Sequence, residues 1–155
     1  MSNKNYLSIY AKSFNWAGFF LPEKTYQKCS SLYDFCRTVD NIADNDEELE
    51  VKKNNLLVFK NDFLNKNYNN IIIKNMWDLM DHHLISIKII KDLFDGVESD
   101  LSKKVQLNNK KDLLIYSYRV AGTVGLMMAK ILNVKGDNSM KAAIDLGIAM
   151  QLTNI

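Results

Sequence analysis

Leu32 to Asp44 reads L-Y-D-F-C-R-T-V-D-N-I-A-D, without a glycine or a proline. Extended back to Pro22, it becomes one long breaker-free run whose proline sits where a first helical turn loses nothing for want of an N–H. Wound as a helix, the run places Tyr26, Cys29, Ser30, Tyr33, Arg37, Asp40 and Asp44 on one side. Asp40 and Asp44 then project one turn apart from the same face, where like charges repel by roughly a few tenths of a kcal/mol. Such a pair is as readily a solvated face as a site. Its neighbours tip the balance, because Arg37 and Tyr33 continue the same stripe one and two turns earlier on a helix whose other positions are apolar or small. Carboxylates so placed suit a hard, oxygen-seeking cation such as Mg2+, which keeps several waters and is completed by substrate phosphates.

Working outward, one proline and six glycines in 155 residues leave few breakers, and apolar residues recur at three and four spacings, so the fold class is all-α. Asn45 to Glu50 reads as a turn and Val51 to Leu64 as a second helix. A third is expected from Asn75 to Leu101, with Met76, Leu79, Met80, Leu84, Ile87, Ile90, Leu93, Phe94 and Val97 as its buried stripe and a kink at Gly96. Lys110 to Leu132 is a fourth, interrupted by Ala121, Gly122 and Gly125; glycine inside a helix costs up to about 1 kcal/mol, so something large is expected to approach that backbone closely. Asn138 or Ser139 caps a last helix running through Ala142, Leu146 and Met150 to Ile155. Its core face is expected at Ile144, Ile148 and Leu152, with Gly147, Gln151 and Asn154 on a second, polar face.

Composition narrows the function classes. With 47% apolar and 25% charged residues the chain is too apolar for disorder, and a chain this long buries roughly 68–70% of its unfolded surface without needing disulfides. Cys29 and Cys36, seven apart, read as small core residues in a reducing cytoplasm. Twenty cations against 18 anions, net +2, give no basic stripe for nucleic acid. No apolar run spans a bilayer, and none resembles a signal segment. Only Arg37 and Arg119 among the 20 cations are arginine, the residue whose planar fork grips phosphate or carboxylate. His82 and His83 are adjacent and cannot share a metal as an i,i+4 pair would. Neither has a glutamate three residues before it, which excludes a carboxylate-bridged di-metal bundle. Asp95, Glu98 and Asp100 read as a solvated helix end.

Five blocks taken together resemble the amino-terminal half of the squalene/phytoene synthase family, the head-to-head prenyl synthases. They are S-F-N-W-A-G-F-F-L-P at Ser13 to Pro22, L-Y-D-F-C-R-T-V-D-N-I-A-D at Leu32 to Asp44, D-G-V-E-S-D-L at Asp95 to Leu101, Y-S-Y-R-V-A-G-T-V-G at Tyr116 to Gly125 and L-G-I-A-M-Q-L-T-N-I at Leu146 to Ile155. The resemblance implies an α-helical isoprenoid-synthase fold joining two C15 or C20 prenyl diphosphates C1 to C1 through a cyclopropyl diphosphate. It implies that Asp40 and Asp44 hold Mg2+ (or Mn2+), with Asn154 near a second metal position. Arg37 would contact diphosphate and Tyr116 would lie beside diphosphate and the developing carbocation. Phe14, Val120, Ala121 and Val124 would line the prenyl cavity, Ser13 would contact substrate, and Gln151 and Asn154 would lie near the intermediate. Asn41 stands where the family usually has another aspartate.

The block Y-R-V-A-G-T-V-G-L-M-M looks closer to bacterial phytoene synthases, with geranylgeranyl diphosphate as substrate, than to squalene or dehydrosqualene synthases using farnesyl diphosphate. A non-catalytic assembly or binding relative of the same fold would tend to have lost the aspartates that are present here. The last helix shows no stop signal, so residues 1–155 are expected to be an incomplete domain, cut within the helix carrying Gln151 and Asn154 and inactive without a carboxy-terminal half. A water-insoluble product would bring peripheral contact with the inner membrane.

Overall fold

The structure is a computed structural model, and it describes residue 18 and residues 20–101 and 109–154. Pro22, with φ −54°, starts α1 (Glu23–Asp44), its carbonyl accepting from the N–H groups of Thr25 and Tyr26. Asn45 in extended conformation ends the helix, and its side chain caps the acidic turn by accepting from the Glu47 N–H. α2 (Leu49–Leu64) follows, and α3 (Ile71–His83) opens at Asn70, whose side chain accepts from Ile72 and Ile73 N–H.

The long helix expected from Asn75 to Leu101 is two helices. α3 stops where Leu84 takes the left-handed conformation (φ 51°), and α4 (Ile87–Asp100) begins at Ser86, whose hydroxyl accepts from the Lys88 N–H. Leu84 consequently leaves the expected buried stripe and is 81% exposed. Gly96 makes no kink; it lies inside α4, buried where another helix crosses closely.

Asn109 caps α5 (Lys110–Ser117), which runs through a single π-helical turn (Tyr118–Gly122) into α6 (Thr123–Ile131). The Thr123 N–H reaches back five residues to the Tyr118 carbonyl, the wider spacing that defines a π turn. After Gly136, at φ +88°, comes α7 (Asp137–Asn154). No helix among the described residues is long and apolar enough to cross a membrane.

α1 is the central helix, with α2, α3, α4 and α6 packed against it. Phe35 of α1, Phe63 of α2 and Phe94 of α4 form a tight triangle, with ring centroids 5.3 to 6.1 Å apart. Trp77 stacks on Phe63 at 5.3 Å and its indole N–H donates to the Phe63 carbonyl. Each such ring taken from water contributes roughly 1.5–3 kcal/mol. Cys29 and Cys36 are buried free thiols in this core, as their spacing suggests.

α7 is held differently. Its inward face is Ala143, Ile144, Gly147, Ile148 and Gln151, while Leu146, Met150 and Leu152 are exposed. The expected division into a core face with Leu152 and a polar face with Gly147 and Gln151 is therefore corrected. Gly147 turns inward because a Cβ there would lie 2.4 Å from the Ala121 carbonyl oxygen, and one at Gly125 would lie 2.3 Å from that of Ala143. The large neighbour of the A-G-T-V-G block at these glycines is thus the backbone of α7.

Candidate active site

Arg37, Asp40 and Asp44 project from the last turns of α1, on the side remote from the groove that α1 forms with α3, which Lys24, Lys28 and His82 line. Asp40 is half-buried and its carboxyl is pushed up to about 6, first by burial, then by the charge of Asp44, with Arg37 opposing and Asp100 adding a smaller push. Asp44, one turn on, is exposed. The Arg37 guanidinium one turn away offsets burial and the Asp44 charge only in part.

Two further groups arrive from other helices. Tyr116 of α5 is half-buried, and the Asp100 carboxylate at the end of α4 is among the groups that act on its phenol. Burial, the Asp100 bond and the charges of Asp100, Asp44 and Asp40 together drive the Tyr116 phenol well above its ordinary range. The Asp100 carboxyl is itself raised by burial and by Asp44, against the lowering effect of the Tyr116 hydrogen bond. Tyr33 is raised by burial, with Arg37, Asp40 and Asp34 among the charges it feels. Arg37, Asp40, Asp44 and Tyr116, named from sequence, are thus one electrostatic group. Asp100 joins them, although from sequence it belongs to a solvated helix end; Asp95 and Glu98, its companions in that cluster, instead flank Lys60 at 3.7 and 3.1 Å. The signal that could have separated Asp100 is its position one turn past Gly96 in the D-G-V-E-S-D-L block.

The other candidates are placed less closely. Val120 and Ala121 are half-buried in the π turn, and Val124 packs against the core from α6. Gln151 is half-buried one turn beyond Gly147, Asn154 is exposed, and among the described residues neither hydrogen-bonds to the carboxylates. Ser13 and Phe14 lie outside the described residues.

The donor set bears on a metal. Among the described residues no group of three or more histidine, cysteine, aspartate or glutamate side chains is gathered tightly enough to hold an ion by itself. Asp40 and Asp44 form a pair of oxygen donors one helical turn apart, with Arg37 beside them. That fits Mg2+, which takes one or two carboxylates and fills its remaining positions with water and phosphate.

An all-α bundle with paired carboxylates, an arginine and a tyrosine gathered at one end of its central helix has the build of an isoprenoid synthase. The chain belongs to the squalene/phytoene synthase family, whose profile matches residues 7–155. It is 30% identical to phytoene synthase 1 of Zea mays, over 94% of this chain and 38% of that one. It is also 30% identical to 4,4'-diapophytoene synthase of Staphylococcus haemolyticus, over 94% of this chain and 53% of that one. A crystal structure of a dehydrosqualene synthase superposes with a TM-score of 0.72 at 29% identity, covering 96% of this chain and 52% of that one. The chain therefore spans about half the length of the Staphylococcus haemolyticus enzyme and of the solved dehydrosqualene synthase, and less of the Zea mays one.

Proposed function

We propose that the chain serves the head-to-head condensation of two prenyl diphosphates, with geranylgeranyl diphosphate as substrate and phytoene as product. The observation that carries this reading is the convergence of Arg37, Asp40, Asp44 and Tyr116 from two helices of a family member. Asp40 and Asp44 would hold Mg2+ or Mn2+, which when bound neutralises diphosphate charge and improves it as a leaving group. Arg37 offers its planar fork to the same diphosphate. Tyr116 would stand beside the reacting end, Val120, Ala121, Val124 and Phe14 would supply the apolar wall that keeps water from a carbocation, and Ser13 would contact substrate. Gln151 and Asn154 serve the intermediate from α7. Farnesyl diphosphate is the second reading, supported by the equal 30% identity to the diapophytoene and phytoene synthases.

Calorimetric titration of the chain with non-hydrolysable thio-analogues of both prenyl diphosphates tests the proposal. Binding is expected only with Mg2+ or Mn2+ present, tighter for the C20 analogue, and weakened at least about tenfold in Asp40→Asn and Asp44→Asn, which remove charge-assisted contacts. Metal-independent binding that ignores both substitutions would overturn it, and tighter C15 binding would transfer the proposal to farnesyl diphosphate. Turnover by the 155 residues alone is expected to be small.

A further inference from the structure

The π turn is approached closely from two sides. α4 closes on it at Gly96, where a Cβ would sit 2.8 Å from the Arg119 Cβ and 3.2 Å from the Arg119 carbonyl carbon. α7 closes on it at Gly147, opposite the Ala121 carbonyl. Two residues past Ala121 stands Thr123, fully buried. In an α-helix the Thr123 N–H would bond to the Arg119 carbonyl, four residues back. Here it reaches Tyr118 instead, and the carbonyl it passes over accepts from Thr123's own hydroxyl, Oγ1 to Arg119 O at 2.8 Å. One residue thus serves both carbonyls: its backbone donates to the more distant one and its side chain satisfies the one left behind. The second bond matters because the Arg119 peptide is packed against α4 at Gly96, and a carbonyl shut away from water without a partner is costly.

Neither burial nor residue type forces this arrangement. Ser117, equally buried in α5, has a hydroxyl with no hydrogen-bond partner among the described residues. Thr38 donates to the Asp34 carbonyl at 2.7 Å, also four residues back, inside the uninterrupted helix α1. At Thr123 the hydroxyl bond coincides with a displaced backbone bond. We propose that Thr123 is a positioning residue for the site, holding the wide register through its hydroxyl and so fixing where Tyr116, Val120 and Ala121 stand relative to α4 and α7. The inference rests on the reading of those three as site residues and deepens it. In the wide register the Tyr118 hydroxyl donates to Asp92 of α4 at 3.2 Å while Gly125 meets α7. Rewound as plain α-helix, the segments before and after the turn would rotate by about 100° relative to one another, and one of these two contacts would be lost.

The test reads the hydrogen bond itself and needs neither substrate nor metal, so it stands or falls separately from the diphosphate reading. In the chain labelled with deuterium, 13C and 15N, couplings across hydrogen bonds identify the carbonyl that each amide nitrogen faces. The Thr123 nitrogen of the parent is expected to correlate with the Tyr118 carbonyl carbon. In Thr123→Val, which keeps the shape and loses the hydroxyl, the correlation is expected to move to Arg119. Thr123→Ser restores a hydroxyl and is expected to keep the Tyr118 correlation. Thr38→Val, the control in α1, is expected to leave the backbone pairing there unchanged. Should Thr123→Val fail to fold, the parent decides: its Thr123 hydroxyl proton is expected in slow exchange, as a buried donor bonded to Arg119 requires. A Tyr118 correlation that survives in folded Thr123→Val, or a Thr123 hydroxyl proton in fast exchange in the parent, would overturn the proposal.

Discussion

α1 to α4 are joined by large side chains, and α7 is joined to α6 and the π turn by the want of them. In the first region Phe35, Phe63, Phe94 and Trp77 fill the space between helices, and several of these positions are wholly buried. In the second, Gly125 and Gly147 let carbonyl groups of the opposing helix come where a methyl would stand, and Gly147 is the one buried residue of α7. Aromatic packing yields gradually, because rings can tilt and neighbours can relax. A backbone seam has no such play, since the obstructing atom is a peptide oxygen fixed by its own helix.

The contrast can be broken first at its strong end. Phe63→Ala removes the ring shared by Phe35, Phe94 and Trp77 and is expected to cost about 3–5 kcal/mol, read as a lower urea midpoint for the whole chain. Gly147→Ala adds one carbon and is expected to cost up to about 3 kcal/mol. Its loss should appear as faster amide exchange confined to α7 and the end of α6, with the aromatic region still protected. Loss of protection across all helices would show that the seam and the aromatic core form one cooperative unit.

The smallest effect sharpens the comparison with a third kind of surface, the polar end of α1. Asp40 holds its proton to about pH 6 when folded, against 3.8 for the free group. The folded chain therefore binds the proton more tightly than the unfolded one. This group favours folding below about pH 4, and the benefit is lost as pH rises through about 6. In metal-free buffer at pH 7, Asp40→Asn is accordingly expected to be more stable than the parent by about 1–3 kcal/mol, with the difference vanishing near pH 4. Denaturant melts at the two pH values check it; a less stable variant at pH 7 would mean that the Arg37 attraction outweighs burial and Asp44.

Much of the helical layout is legible because its punctuation is local. Pro22 marks the start of α1, and the Arg37, Asp40, Asp44 stripe follows from helical periodicity alone, whereas the Asn70 cap starts α3 four residues ahead of the expected Asn75. The break at Leu84 to Ser86 is hidden because no glycine or proline announces it: a leucine accepts a left-handed backbone there, and Ser86 is the only cue. The face of α7 is misread for a related reason. Hydrophobicity assigns Leu152 inward, whereas close backbone approach selects the side with Gly147, and the partner of a glycine is a tertiary fact. Asp100 escapes because its role depends on a tyrosine sixteen residues onward in another helix.

The π turn carries a consequence for chain length. An α-helix advances about 100° per residue, so the extra residue held in the wide turn offsets the angular phase of α6 from that of α5. Tyr116 and Tyr118 are aimed at α4 from one side of the offset, and Gly125 is aimed at α7 from the other. Deleting one residue between Tyr118 and Gly122 would let the rod anneal into uninterrupted α-helix and swing one set of contacts away from its target. This segment can therefore change its letters more readily than its length.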